Sequence, residues 1–447
     1  MPGPIERCID DAKQPVPWLT WGADLRIRNE YFNDAQTLRG GVPLHEQDYF
    51  RIRARLWSAV TPLTNLNLNV RLTSEPRVWF RPASYTPFKG RSGTDMTYGV
   101  FEALNVQASN LFGMPASLSI GRQDLVLGDG WLLLEGTPND GSWSVFIDSA
   151  RLTYQLPEQH TTIDAIGIVH YAKDDTWLPT INSQDRYFME QNEKGAVLNI
   201  ANKSVRSANL DGYFIYKHDT RLNGKPGNLG DNGNIYTLGG RLSGLLGEHW
   251  KYSAEGAYQR GDKQDLNVQF PVVSTDFRQI DAFGVNAKLS YLSKDRLNDQ
   301  VHLCYEYLSG DDPKTKTDEM FDVLWGRWPR WSELYNIYSY VVEARVGQTD
   351  NLHRLGPGWS FTPAKRLDFS ANYFVLLADQ ETPTRASSLG LFSQDGIFRG
   401  HYIQAILKYQ FSRHLRAHLW SEFVFPGDYY ANHDSMTFLR GEVTLSF

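Results

Sequence analysis

Arginine falls at every second position of YFRIRARLW (49–57), as Arg51, Arg53 and Arg55, with Phe50, Ile52, Ala54 and Leu56 between and beside them. Successive side chains of a strand point to opposite faces, so this segment carries a guanidinium row on one face and an apolar row on the other. Guanidinium groups bind carboxylates bidentately, and rings of arginine or lysine select anions in pores. The chemistry this spacing offers is anion recognition rather than bond-making. GxSxG, HExxH and paired-carboxylate motifs are absent, and the two cysteines, Cys8 and Cys304, form neither a CxxC nor a disulfide scaffold. His302 and Cys304 share one strand face without further ligands and read as polar filling. No catalytic residue, metal or cofactor is expected.

The elements that would position these side chains are strands throughout. In 66–73, LNLNVRLT, the four apolar residues share one face, and Asn67, Asn69, Arg71 and Thr73 share the other. The same alternation runs through VNAKLSY (285–291), LDFSANYFV (367–375) and HYIQAILKYQF (401–411). Short turns such as TPLTN (61–65), TPAK (362–365) and FSRH (411–414) join neighbours at one end. Longer stretches, at 80–96, 126–144, 174–206, 310–350 and 380–398, fall on the other connections. Short turns on one side and long loops on the other are the asymmetry of a transmembrane barrel. About seventeen segments can be counted. Segment 195–204 reads as strand or loop, and 335–347 as strand or loop helix. An even strand number then predicts 18, with 16 as the fallback.

The bulk numbers agree. A mean hydropathy of −0.44 and the lack of an 18-residue apolar run exclude a helical membrane protein, but not a barrel whose strands are half luminal. Net charge is −6, which points to no nucleic-acid partner. A propeller or sandwich array would need repeats of about 40–50 residues, and none is found. Charges face hydrocarbon only at a high cost at the midplane, so the arginine face must be luminal and the apolar face must meet lipid. The chain ends on MTFLRGEVTLSF. A last strand ending on phenylalanine resembles the signal read by the outer-membrane assembly machinery, which makes Phe447 the expected contact. No apolar leader precedes Cys8, so export would require one that has been removed.

From Thr97 the chain reads TYGVFEALNVQASNLFGMPASLSIGRQDLVLGDG, with Gly121-Arg122-Gln123 closing a strand. Together with DAFGVNAKLSY (281–291) and the FPGDYY loop before the terminal strand (425–447), this order of segments resembles the alginate-export family of outer-membrane channels. The resemblance extends from about residue 20 to the end. It implies a monomeric 18-stranded barrel with a charged lumen. It matches Arg53 to a pore arginine of the family's pseudomonad alginate exporter. Two positions after Arg122, where that exporter is basic, this chain has Asp124.

The sequence therefore predicts an all-β, transmembrane antiparallel β-barrel over 20–447 in the bacterial outer membrane, with short periplasmic turns and long extracellular loops. Residues 1–19 form an N-terminal periplasmic segment. The expected function is a channel passively passing small solutes or anionic saccharides through a basic-lined lumen. The alternatives are a general or other-substrate porin, or the membrane component of a larger complex. Expected pore-lining residues are Arg26, Arg28, Arg51, Arg53, Arg55, Arg71, Arg122, Asp124, Arg151, Arg241 and Arg416. Parity sets Arg122 with Leu118 and Ile120 on the lipid face, and a bulge at Gly121 is expected to turn it inward. Two readings of the inward arginines stay open: selection of anions, or pairing with acids such as Asp24 and Glu30 to fill the lumen. Expected partners are outer-membrane lipid, the assembly machinery and an anionic polysaccharide or small solute. In WGRWPRW (325–331), Trp325, Trp328 and Trp331 read as a girdle or an inward-folded loop rather than a sugar-stacking platform.

Overall fold

Alternation of β-branched, aromatic and leucine residues with polar ones yields long strands in the computed structural model. It describes all residues except 1–10, 36–44, 82–92, 135–145, 174–176, 183–188, 223–229, 265–276, 328–330, 336–348 and 382–389. Cys8, Trp328 and most of 335–347 lie outside the described residues. The strands run β1 (Leu19–Asn33), β2 (Glu46–Leu63), β3 (Leu66–Ser74), β4 (Arg77–Arg81), β5 (Thr94–Asp95), β6 (Gly99–Ser109) and β7 (Ala116–Arg122). They continue as β8 (Asp148–Leu156), β9 (Thr161–His170), β10 (Gln191–Val205), β11 (Ala208–Arg221), β12 (Asn232–Leu246), β13 (Trp250–Gln264) and β14 (Arg278–Leu292). The last six are β15 (Gln300–Leu308), β16 (Leu352–Ala364), β17 (Leu367–Leu377), β18 (Phe398–Gln410), β19 (Leu415–Pro426) and β20 (Met436–Ser446).

Each strand pairs antiparallel with its neighbours, and β20 closes onto β1 from Asp24↔Ser446 to Asn33↔Thr437. Pro76 has no N–H to give the ladder, and the strand breaks there. β3 and β4 both pair with β2, and β6 and β5 pair with them in turn. These four segments make two staves, so the twenty strands form a closed barrel of eighteen. The 195–204 segment is part of β10.

Side-chain parity separates two environments. Leu25 and Ile27 of β1 are 42% and 45% exposed, whereas the alternating Arg26, Arg28 and Glu30 are buried inside. Leu56, Leu238, Leu303 and Leu419 continue the outward apolar surface. Near the short turns the outward ring is aromatic: Trp250 meets Tyr291 at 5.1 Å between ring centroids, and Trp359 stacks on Phe361 at 4.2 Å. An apolar band flanked by an aromatic girdle is the surface of an outer-membrane barrel. The interior also holds apolar clusters, contributed by loops that turn inward: Leu132, Leu133, Leu324 and Trp325 in one, Leu334 and Tyr335 in the other.

Candidate functional site

The arginines of the first strands form a wall in which every charge is matched. Arg53 and Arg55 reach Asp24, at 2.9 and 3.7 Å; Arg55 and Arg71 share Glu102; and Arg71 also takes Asp124 bidentately at 2.7–2.8 Å. This gives three arginines to three carboxylates. Beside it, Arg26, Arg28, Arg51 and Arg440 interlock with Glu30, Glu75, Glu333 and Glu442, four against four, through contacts such as Arg26–Glu75 at 2.8 Å and Arg51–Glu75 at 3.2 Å. Glu75 sits at the β3–β4 break, which lets it reach across β2 to β1. Arg26, Arg28, Arg53 and Glu30 are all less than 5% exposed. Buried charges persist only when paired and hydrogen-bonded, so this wall is packing as much as electrostatics.

The other expected pore residues separate. Arg151 pairs inside with Asp164 at 2.8 Å, and Arg241 with Asp211 at 2.8 Å and Asp129 at 3.2 Å. Arg416, in register with Thr444, keeps the inward parity of Glu422 and has no carboxylate within ion-pair distance among the described residues. Arg122 overturns its expectation. Gly121 has φ +123°, but the ladder runs unbroken through it, pairing Val106↔Ile120 and Leu104↔Arg122. Arg122 therefore stays on the side of the exposed Ile120, the outer wall. There it binds Asp148 bidentately at 3.0 and 3.1 Å under Phe146 and Trp177. It does not line the lumen. The ion pair and the ring cover remove the cost that parity alone predicted.

Two inward-turned segments cross the interior. One, 125–134, joins the other through Trp325 N–H to the Leu132 carbonyl and Leu134 N–H to the Trp325 carbonyl, both at 3.1 Å. The second is fixed at both ends. Around 320–327, Trp325 is fully buried and lies against Gly195, where a Cβ would come within 2.4 Å of its ring. Arg327, also fully buried, binds Glu190 at 3.3 Å and Glu193 of β10. Gln259 exchanges two hydrogen bonds with the Asp322 backbone, at 2.7 and 2.9 Å. At 331–335, the buried Glu422 carboxylate of β19 accepts from the Ser332 hydroxyl and from the Glu333 and Leu334 N–H groups, at 2.8–3.0 Å. A carboxylate at the start of a helical turn satisfies its free N–H groups. The tryptophans at 325 and 331 thus pack an inward-folded loop, one of the readings the sequence left open.

Open space lies among staves β10 to β18, away from the arginine wall. A cavity of about 1170 Å³ runs from the short-turn end, at His160, Lys203, Arg206 and Lys251, to a ceiling of Trp131, Val323, Gly326 and Trp331. Its lining carries six cations (Lys203, Arg206, Arg241, Lys251, Lys288 and Arg354) against three carboxylates (Asp129, Glu255 and Glu306). Arg354 pairs with Glu306 at 3.1 Å and lies over Trp331 and Phe374, 5.0 and 4.6 Å from the ring centroids. Lys288 is exposed to the cavity, with no carboxylate within ion-pair distance among the described residues. His302 and Cys304 line the same space, His302 bonding Asn372 at 3.0 Å. Sequence reading missed Lys203, Arg206, Lys251 and Arg354. Three of these sit at strand ends or turns, where alternation gives no signal.

Comparison with known proteins completes the assignment. No curated protein matches the chain in sequence. Solved structures match its fold along nearly the whole length: OccAB2 of Acinetobacter baumannii at a TM-score of 0.57 and 10% identity, covering 96% of this chain and 98% of that one. OccK2 (OpdF) of Pseudomonas aeruginosa, solved in complex with glucuronate, matches at 0.55 and 12%, covering 96% and 98%. OpdK of Pseudomonas aeruginosa, solved with vanillate, matches at 0.56 and 11%, covering 96% and 98%. These likenesses concern the barrel alone. The Alginate export family model matches residues 17–441, nearly the full barrel, with the 97–130 and 281–291 segments and the FPGDYY loop inside it, so the chain is an outer-membrane β-barrel channel that belongs to the alginate export family.

Proposed function

We propose that the barrel passes small carboxylate-bearing solutes by diffusion, along the basic cavity rather than along the arginine wall. The carrying observation is the balance of the cavity lining, six cations to three carboxylates, with Lys288 unneutralised. In a narrow, partly desolvated passage such an excess focuses positive potential and raises the local anion concentration. The arginines of β1–β3 contribute little to that potential, because each is matched by a carboxylate within about one ion-pair distance. Neutralised at close range, they act on a passing solute only as dipoles. Glucuronate and vanillate, held by two barrels of similar fold, are both carboxylates, which supports the class without fixing the solute. Trp131, Trp331 and Phe374 at the ceiling give a ring an apolar face next to Arg354.

The test is current block in planar bilayers. Glucuronate is expected to interrupt single-channel current at millimolar concentration, whereas glucose, of the same ring size but neutral, is not. Lys288→Gln is expected to weaken the block severalfold. Equal block by both sugars would remove the charge from the account and leave a general porin.

A further inference from the structure

The outer wall of the barrel carries a depression that its lipid-facing strands do not need. Along one outward row, the register sets Leu68, Val106, Ile120, Ala150 and Gly167 side by side across five staves. Ala150 and Gly167 are small beside Leu68, Val106 and Ile120 of the same row, and a Cβ on Gly167 would meet nothing within 4 Å. The resulting groove encloses about 480 Å³ and is roofed by Trp177. Trp177 is tied down by its indole N–H to Asp148, at 2.9 Å.

A second observation lies one row above. Leu104, Arg122, Asp148, Val169 and Lys194 are consecutive in register there. Arg122 and Asp148 neutralise each other. Lys194 is exposed on the outward face and has no carboxylate within ion-pair distance among the described residues. It stands one strand from Val169, about 5 Å away. Lys194 lies twelve residues up β10 from Arg206 in the short turn. At about 3.4 Å per residue and a tilt near 40°, that is about 30 Å above this turn and about 23 Å above the neighbouring turn at His160, whose carbonyl accepts from the Lys203 N–H, so Lys194 stands at the upper edge of the roughly 25 Å apolar band. Lysine at that depth faces headgroups, and the groove below it faces acyl chains.

We propose that this face seats one phosphate-bearing glycolipid of the outer leaflet, with an acyl chain in the groove under Trp177 and a phosphate on Lys194. The occupant follows from position: the groove opens to the hydrocarbon band, its rim is at headgroup level, and the charge there without a partner among the described residues is positive. Tryptophan at the membrane interface suits the roof, with its ring on the chain and its N–H on a polar group.

The experiment is native mass spectrometry of the full barrel in mild detergent, titrated with bis-phosphorylated lipid A. Wild type is expected to retain one lipid A per barrel through detergent exchange. Gly167→Leu, which fills the groove, is expected to abolish that retention. Gly212→Leu also points outward into open space, but away from the groove, and is expected to leave retention unchanged. Lys194→Gln is expected to weaken retention about fivefold, the factor one lysine supplies near an anionic lipid surface. Heat-modifiable migration on gels confirms that each variant is a closed barrel. Equal retention in Gly167→Leu and Gly212→Leu overturns the seat. Equal retention of dephosphorylated lipid A, or of a zwitterionic phospholipid, overturns the role of Lys194. A second barrel in place of lipid would make the face a homotypic interface and likewise overturn the proposal.

Discussion

Removing the Arg327 side chain should release the crossing segment without opening the barrel. Arg327 is fully buried and binds Glu190 and Glu193, while Lys217 stands 3.3 Å from Glu193 and Asp322 3.4 Å from Lys217. Arg327→Met keeps the volume and leaves both glutamates facing one fewer cation. Deleting one partner of a buried ion pair costs about 3–5 kcal/mol. Lys217 remains to hold Glu193, so the lower end applies. At about 1.4 kcal/mol per factor of ten, local opening of 320–327 should rise roughly a hundredfold. Hydrogen exchange followed by mass spectrometry reads this directly, since protection scales with the opening equilibrium. The informative amides are those of Asp322, Leu324 and Trp325, bonded to Gln259, Asp322 and Leu132. Peptides covering β10–β13 should exchange as in wild type. Adding Glu193→Gln to Arg327→Met should restore part of the protection, because it removes the stranded charge. An exchange rate within threefold of wild type would refute the reasoning that this ion pair fixes the segment.

Further outcomes follow from the same geometry. Arg53→Ala leaves Asp24 to Arg55 at 3.7 Å and should lower barrel stability in urea by roughly 1–2 kcal/mol, below the cost of an unpaired buried charge, while leaving ion selectivity within error of wild type. Glu422→Ala leaves the Ser332, Glu333 and Leu334 donors without an acceptor; at about 1–3 kcal/mol per unmet buried group, channel current should become noisier as 331–335 loosens. Burial alone would raise the Asp379 carboxyl, but the His353 imidazole 3.6 Å away and hydrogen bonds from the Gly310 N–H and Gln380 outweigh it and hold it below the ordinary range. A depressed carboxyl stabilises above its unfolded value and ceases to as pH falls through the folded one. Proteolysis of the 378–381 connection should therefore quicken below about pH 4, and Asp379→Asn should lose that acid step. Phe447→Ala, at an outward-facing C-terminus, should lower the amount of barrel reaching the outer membrane, measured by heat-modifiable migration in membrane fractions.

The barrel was legible because a strand's two faces meet two solvents. Leu66, Leu68, Val70 and Leu72 against Asn67, Asn69, Arg71 and Thr73 already state lipid and lumen, and nothing beyond period two is needed to read them. Charge compensation was not legible in the same way. Arg26 finds Glu75 at a kink, Arg55 finds Glu102 on another stave, and Arg28 finds Glu442 from the far end of the chain. Those partners meet only when the sheet closes, so an arginine row looks like a free cation row until then. The same holds for Arg122: parity set it on the outer wall correctly, and the bulge invoked to turn it inward was unnecessary once Asp148 and Trp177 covered it. Loops that enter the lumen follow no period, and with them the ceiling of the cavity was out of reach of pattern reading.

The most direct test of the account is the reversal potential of single channels under a potassium chloride gradient. It should be measured for wild type, for Lys251→Glu/Lys288→Glu, and for Arg51→Ala/Arg53→Ala/Arg55→Ala. The account predicts an anion-selective wild type and loss or reversal of selectivity when the two cavity lysines become acids, which turns six cations against three carboxylates into four against five. It also predicts that the arginine triple, where it folds, keeps the wild-type sign. A cation-selective wild type, or selectivity that collapses in the arginine variant and survives in the lysine variant, would contradict it.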